Sequence, residues 1–190
     1  MDRLSALIVV ALTTLGCDKK AAPAGEPSGR VNAAKTGTKR GATPESFCDV
    51  HHPAASAPAF AWSAAIASPP PAAPGKWRWI NVWATWCKPC LEEMPRLAKW
   101  RDKLGVQLSF LSVDESDAEI EAFRKLQPGT PESIRIDQAK AYEWLAQLGL
   151  DGSPPIPVHI FVDGANKLRC VRAAGVIETD LAVVEKLLAE

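Results

Sequence analysis

Trp86-Cys87-Lys88-Pro89-Cys90 constrains this chain more than any other part of it. The pair of cysteines follows a run, Lys76 to Ala84, in which Trp77, Trp79, Ile80, Val82 and Trp83 make both faces mostly apolar. A run apolar on both sides is what a central, fully covered strand requires. Beyond it, Leu91, Met94, Leu97, Ala98 and Trp100 recur at helical spacing from Pro89 to Lys103, and Gly105 supplies the stop. Pro89 costs little in a first turn, where no amide donor is needed. The pattern puts Cys87 at the N-terminus of a helix that leaves a buried strand. There the unpaired N–H groups and the helix dipole favour a thiolate. Cys90, one turn in, stays beside the first sulfur and can attack a mixed disulfide on it. Cys87 is therefore expected to be the more exposed, more readily ionised thiol, and Cys90 the shielded one. Such a pair needs no cofactor beyond its own redox-active disulfide. A zinc site would usually need four ligands, and neither a second Cys-x-x-Cys nor a His-x-x-x-His is present.

The remaining pattern alternates. Val106 to Val113 reads as a strand, Asp117 to Leu126 as a helix ended by Pro128-Gly129, and Gln138 to Leu148 as a helix closed by Gly149. Val158 to Val162 and Lys167 to Arg172 read as a hairpin around Asp163-Gly164-Ala165-Asn166, and Thr179 to Ala189 as a last helix. This order predicts an α/β fold, a mixed central sheet covered by helices on both faces. Upstream, Ser46 to Val50 reads as a short strand and Ala57 to Trp62 as a strand-like piece, before Pro69-Pro70-Pro71 forces a loop. The chain has 190 residues with 22 basic and 22 acidic side chains. That length fits one domain with an appendage, and the balanced charge argues against a nucleic-acid partner, which needs a basic surplus.

The appendage is at the start. Met1-Asp2-Arg3, the apolar stretch Leu4 to Leu15 and the small residue Gly16 read as a secretory signal over residues 1–16. Thr14-Leu15-Gly16-Cys17 resembles the lipobox of bacterial lipoproteins, which makes Cys17 the lipidation site. Asp18 to Thr43 has Val31 as its only apolar residue larger than alanine. It cannot bury enough surface to offset its ordering entropy, so residues 17–43 are expected to be a lipid anchor and disordered tether. The folded domain is placed at residues 44–190.

Asn81-Val82-Trp83-Ala84-Thr85-Trp86-Cys87-Lys88-Pro89-Cys90, followed by Glu93-Met94-Pro95, resembles the TlpA/ResA-like thioredoxin superfamily. Ala57-Pro58-Ala59-Phe60, Ser112-Val113-Asp114-Glu115 and Ile156-Pro157 resemble that family's opening strand, second-strand end and cis-proline site. The resemblance implies a thioredoxin fold with an N-terminal strand extension. It also implies a monomeric extracytoplasmic thiol–disulfide oxidoreductase, lipid-anchored on the periplasmic side of a bacterial membrane. Its partners would be a protein thiol or disulfide substrate, apocytochrome c among the classes suggested, and an upstream membrane thiol donor. Cys87 and Cys90 would be catalytic, Glu93 would tune the thiols, and Trp86, Ile156 and Pro157 would meet the substrate.

The likeness is imperfect. Pro155-Ile156-Pro157 replaces the frequent Gly-x-Pro, so Pro154 and Pro155 compete with Pro157 for the cis bond. Asn81 stands where thioredoxin itself has a buried aspartate, which removes one proton acceptor for Cys90. His159, two positions beyond Pro157, is an auxiliary candidate for that task, since a neutral imidazole accepts a proton near neutral pH. With Cys17 lipidated and Cys87 paired to Cys90, Cys48 and Cys170 remain. They form either a structural disulfide or two separately buried thiols. Cys48-x-x-His51-His52 also invites a metal reading, although adjacent histidines in an Ala/Pro-rich segment are more often exposed. A non-enzymatic metal-delivery factor of the same fold is the alternative function. Its Sco-type members use Cys-x-x-x-Cys with a distant His, whereas this spacing is one residue shorter. A peroxiredoxin would need Pro-x-x-x-Thr-x-x-Cys around Cys87, which is not there.

Overall fold

The apolar run ahead of the cysteines forms β2 (Arg78–Trp83), buried at every position and therefore covered on both faces. The structure, a computed structural model, describes residues 43–190. The signal segment, Cys17 and the tether as far as residue 42 lie outside the described residues. In chain order the other elements are α1 (Pro44–Phe47), β1 (Val50–His51), α2 (Lys88–Leu104), β3 (Gln107–Ser112), α3 (Asp117–Leu126), β4 (Ser133–Arg135), α4 (Gln138–Gln147), β5 (Val158–Val162), β6 (Leu168–Arg172) and α5 (Leu181–Leu188). Six strands make one sheet in the order β1-β6-β5-β2-β3-β4. The β2–β3 and β3–β4 pairs are parallel, and β2–β5, β5–β6 and β1–β6 are antiparallel.

Alternation along β2 sorts the two layers. Trp79, Asn81 and Trp83 face α2 and α3: the Trp79 ring lies 6.1 Å from that of Trp100 on α2, and Trp83 lies 6.3 Å from Phe123 on α3. The opposite face carries Arg78, whose guanidinium sits 5.1 Å over the Phe60 ring. Phe60 and Trp62 pack in turn on Trp144 of α4. Each buried aromatic or aliphatic side chain of this kind contributes about 1.5–3 kcal/mol of transfer free energy. Gly105 ends α2 in the left-handed region at φ 65°, a conformation that a residue with a Cβ rarely adopts.

Three local expectations are corrected. Ser46 to Val50 is not a strand, because Pro44–Phe47 is one helical turn and only Val50–His51 pairs with the sheet. Ser46 Oγ accepts from the Thr43 amide at 3.2 Å and donates to the Thr43 carbonyl at 3.0 Å, while Pro44 fills the first helical position. Ala57 to Trp62 makes a single bridge, Ala59 to Lys167, and goes no further. Pro58 has no N–H to donate to a ladder. Conversely, Ser133–Arg135 is a strand that the sequence does not announce, a three-residue edge with one apolar side chain.

The N-terminal arm is tied to β6. Val50 pairs with Val171, the Arg172 guanidinium donates to the Phe47 carbonyl at 2.6 Å and covers the Phe47 ring, and Asp49 accepts from the Ala173 amide. The Cys48 and Cys170 sulfurs are bonded across this junction, with Cα atoms 5.6 Å apart. Among the described residues no helix is long and apolar enough to cross a membrane.

Candidate active site

Parallel pairing of β2 with β3 brings Trp83 opposite Ser112, so the turns leaving the two strands lie side by side. Asp114 on the second turn holds the first. It is 1% exposed, and its carboxylate accepts the Thr85 amide at 3.1 Å, the Thr85 hydroxyl at 2.7 Å and the Ser112 hydroxyl at 2.7 Å. The turn Ala84-Thr85-Trp86 is thereby fixed before the chain enters α2. Sequence reasoning noted Ser112-Val113-Asp114-Glu115 as a likeness but gave Asp114 no role. The available signal was an acid just beyond a strand that must pair with the cysteine-bearing one. Asp114→Ala is expected to cost about 2–4 kcal/mol in urea unfolding, since it leaves several buried donors unpaired. Asp114→Asn keeps one acceptor oxygen and should cost less.

Cys87 is the N-cap of α2. Its sulfur accepts from the Cys90 amide at 3.3 Å, in the place an Asp or Ser oxygen would take. The two sulfurs are joined as a disulfide, and both residues are 0% exposed. In this disulfide form neither sulfur is the more exposed, and the expected difference between Cys87 and Cys90 concerns the reduced thiols. Bonded to Cys90 and packed beside the Ile156-Pro157 loop, Cys87 has no outward face, although Lys88 next to it is exposed and Trp86 half-buried. The Ile156-Pro157 peptide is cis, and the Ile156 carbonyl oxygen lies 3.7 Å from the Cys87 sulfur. The Ile156 and Pro157 side chains are buried, so this loop offers backbone rather than side chains to a neighbour.

One helical turn beyond Cys90, α2 enters a buried polar cluster. Antiparallel pairing sets Asn81 opposite His159, on the face covered by α2. Glu93, one turn beyond Cys90 and 1% exposed, accepts from Asn81 Nδ2 at 2.9 Å and from the Val176 amide at 2.8 Å. His159, 0% exposed, accepts at Nδ1 from the Trp79 indole N–H at 3.0 Å, and its Nε2 lies 3.3 Å from Glu93 Oε2. Glu93 thus joins Asn81 and His159, which the sequence already linked, in one group. Trp79, which completes it, was read only as core.

The metal reading at Cys48-x-x-His51-His52 loses its thiolate to the Cys48–Cys170 bond. Among the described residues, Glu45, His51 and Glu190 bring ligand atoms within 4.8 Å of one another. Arg169 already donates to Glu190 Oε2 at 2.7 Å, placing a fixed positive charge against that cluster.

No family model matches the chain. It is 33% identical over 98 residues to the thiol-disulfide oxidoreductase ResA of Bacillus anthracis, covering 50% of this chain and 53% of that protein. It is 45% identical over 56 residues to the thioredoxin-like protein YneN of Bacillus subtilis, 27% of this chain and 33% of that one. The chain thus spans about half the length, or less, of these curated relatives. Among solved structures, a secreted thiol-disulfide isomerase from Corynebacterium glutamicum superposes with a TM-score of 0.50 at 23% identity, covering 62% of this chain and 73% of that one. That likeness concerns the fold. With a Cys-x-x-Cys motif capping the helix after a central strand and a cis-proline loop against it, the chain has the thioredoxin fold.

Proposed function

We propose that this protein is a TlpA/ResA-like thiol–disulfide oxidoreductase that reduces protein disulfides outside the cytoplasm. The observation that carries this reading is Cys87 as N-cap of α2, bonded to Cys90 and set against the Ile156 carbonyl. In the reduced protein the Cys87 thiolate, favoured by the helix N-terminus, attacks a substrate disulfide. A bond forms between Cys87 and one substrate sulfur, and the other substrate sulfur leaves as a thiolate. Cys90 then gives up its proton, with Glu93 as the carboxylate one turn away to take it, and attacks the Cys87 sulfur. The Cys87–Cys90 bond forms, the second substrate sulfur leaves, and the substrate has gained two electrons. The Ile156-Pro157 backbone and the half-buried Trp86 are the surfaces that a substrate segment meets.

The name of the relative that is 33% identical over 98 residues, a thiol-disulfide oxidoreductase, supports the reaction class. An upstream membrane thiol donor restores the dithiol, and lipid on Cys17 holds the protein, as a monomer, to the periplasmic side of a bacterial membrane. Apocytochrome c is the substrate class that the resemblance suggests. Reduction of a model protein disulfide, with a chemical dithiol as regenerant, tests the activity, and a copper titration beside it tests metal delivery. Catalytic turnover without stoichiometric copper uptake is the expected pair of results. Copper binding at the reduced dithiol without turnover would replace the enzyme by a delivery factor.

A further inference from the structure

The buried cluster assigns His159 a role different from that of a base. An indole N–H can only donate, so the 3.0 Å contact from Trp79 makes His159 Nδ1 an acceptor. Asn81 Nδ2, a second donor, lies 3.4 Å from the same nitrogen. The proton of the imidazole is then on Nε2, which is buried, makes no hydrogen bond of its own in this structure and lies 3.3 Å from Glu93 Oε2. With one nitrogen occupied by a donor and the other carrying a proton, the ring has no lone pair left for a proton from Cys90.

We propose that His159 is a positioning residue, an N–H donor locked in one tautomer by Trp79 that holds the Glu93 carboxylate in place one turn beyond Cys90. The proposal rests on the exchange reading above, in which Glu93 takes the Cys90 proton. The Glu93 carboxylate accepts from Asn81 Nδ2 of β2 and from the Val176 amide after β6, and His159 Nε2 of β5 lies 3.3 Å from it. Within α2, Cys90 lies one turn before it. Arg96, one turn beyond, donates to the Val176 carbonyl and so steadies the same peptide segment. Asn81 and Val176 each donate to one carboxylate oxygen, and the otherwise unpartnered His159 Nε2 stands 3.3 Å from Oε2.

The test separates the two steps of exchange. The reduced full chain reacts with an aromatic disulfide, and absorbance follows two releases of arylthiolate: the first on attack by Cys87, the second when Cys90 attacks the Cys87–aryl disulfide. In His159→Leu the ratio of resolution to attack should fall about tenfold near neutral pH, the effect of one hydrogen bond to a charged group. The acidic limb of the resolution rate should move to higher pH, because a carboxylate that loses a donor is protonated more readily. His159→Gln, whose amide can accept from Trp79 and donate to Glu93 without titrating, should restore both. ¹⁵N NMR of the unmodified protein should show His159 protonated at Nε2 and bare at Nδ1.

A Gln variant as slow as the Leu variant, a Leu variant with an unchanged pH profile, or a proton on Nδ1 would each overturn the proposal. The NMR result judges it even if the Leu variant fails to fold. An unmodified protein that attacks but never resolves would remove the exchange reading itself, and this role with it. Normal resolution with an unchanged Leu profile removes this role alone.

Discussion

Cys87→Ser should bring reduction of a protein disulfide down to the uncatalysed background, a loss of about a thousandfold or more. The reason is chemical before it is structural, since a hydroxyl at neutral pH does not displace sulfur from sulfur, whereas a thiolate does. Position adds to this. Cys87 is the N-cap, where the Cys90 amide donates to its sulfur, while Cys90 is already inside the helix. In the disulfide form neither sulfur reaches solvent, so the discrimination between them belongs to the reduced protein. Stopped-flow reaction of the reduced protein with a limiting alkylating agent checks it: Cys87 should carry the modification, as read by peptide mass. A Cys87→Ser variant that kept a tenth of the activity would place the nucleophile elsewhere.

Removing the second disulfide should have the largest effect on stability. The Cys48–Cys170 bond closes a loop with a sequence separation of 122. Loop-closure entropy assigns such a cross-link up to about 5 kcal/mol at 25 °C. Cys48→Ala with Cys170→Ala should therefore lower the unfolding free energy by about 3–5 kcal/mol and the thermal midpoint by roughly 10–15 °C. The bond ties the arm carrying Phe47 and Val50 to β6, away from the Cys87 helix, so exchange per folded molecule should persist. Urea unfolding without reductant measures the difference. A loss below about 1 kcal/mol would mean that the arm is held by Arg172, Asp49 and the β1–β6 pairing without the cross-link.

What was legible in the sequence follows from how local each signal is. Val158–Val162, wholly apolar apart from His159 and followed by a turn signal, is a strand with the expected bounds. Helix α2 announced itself by spacing and by Gly105. Ser46 misled because its hydroxyl serves Thr43 in a capping arrangement, and a cap outweighs the strand preference of Phe47 and Val50 over so short a stretch. Strand β4 was silent because a three-residue edge has no period to read. At the site, Cys87, Cys90 and Pro157 were visible as sequence neighbours of a strand and a helix. Asp114 was not, because its role exists only once β2 and β3 pair. His159 was found for its chemistry, but the contact that bears on its role was not legible, because the Trp79 N–H at Nδ1 comes from the next strand.

The central claim is that Cys87 attacks and Cys90 resolves. Reduced Cys90→Ser protein, mixed with an equal amount of a model protein carrying one disulfide, tests it most directly when the products are separated without reductant. The account predicts a covalent one-to-one complex that persists in the variant, is released by dithiol, does not accumulate with the unmodified protein, and maps by peptide mass to Cys87. A complex joined through another cysteine, or none in the variant while the unmodified protein still turns over, would contradict it.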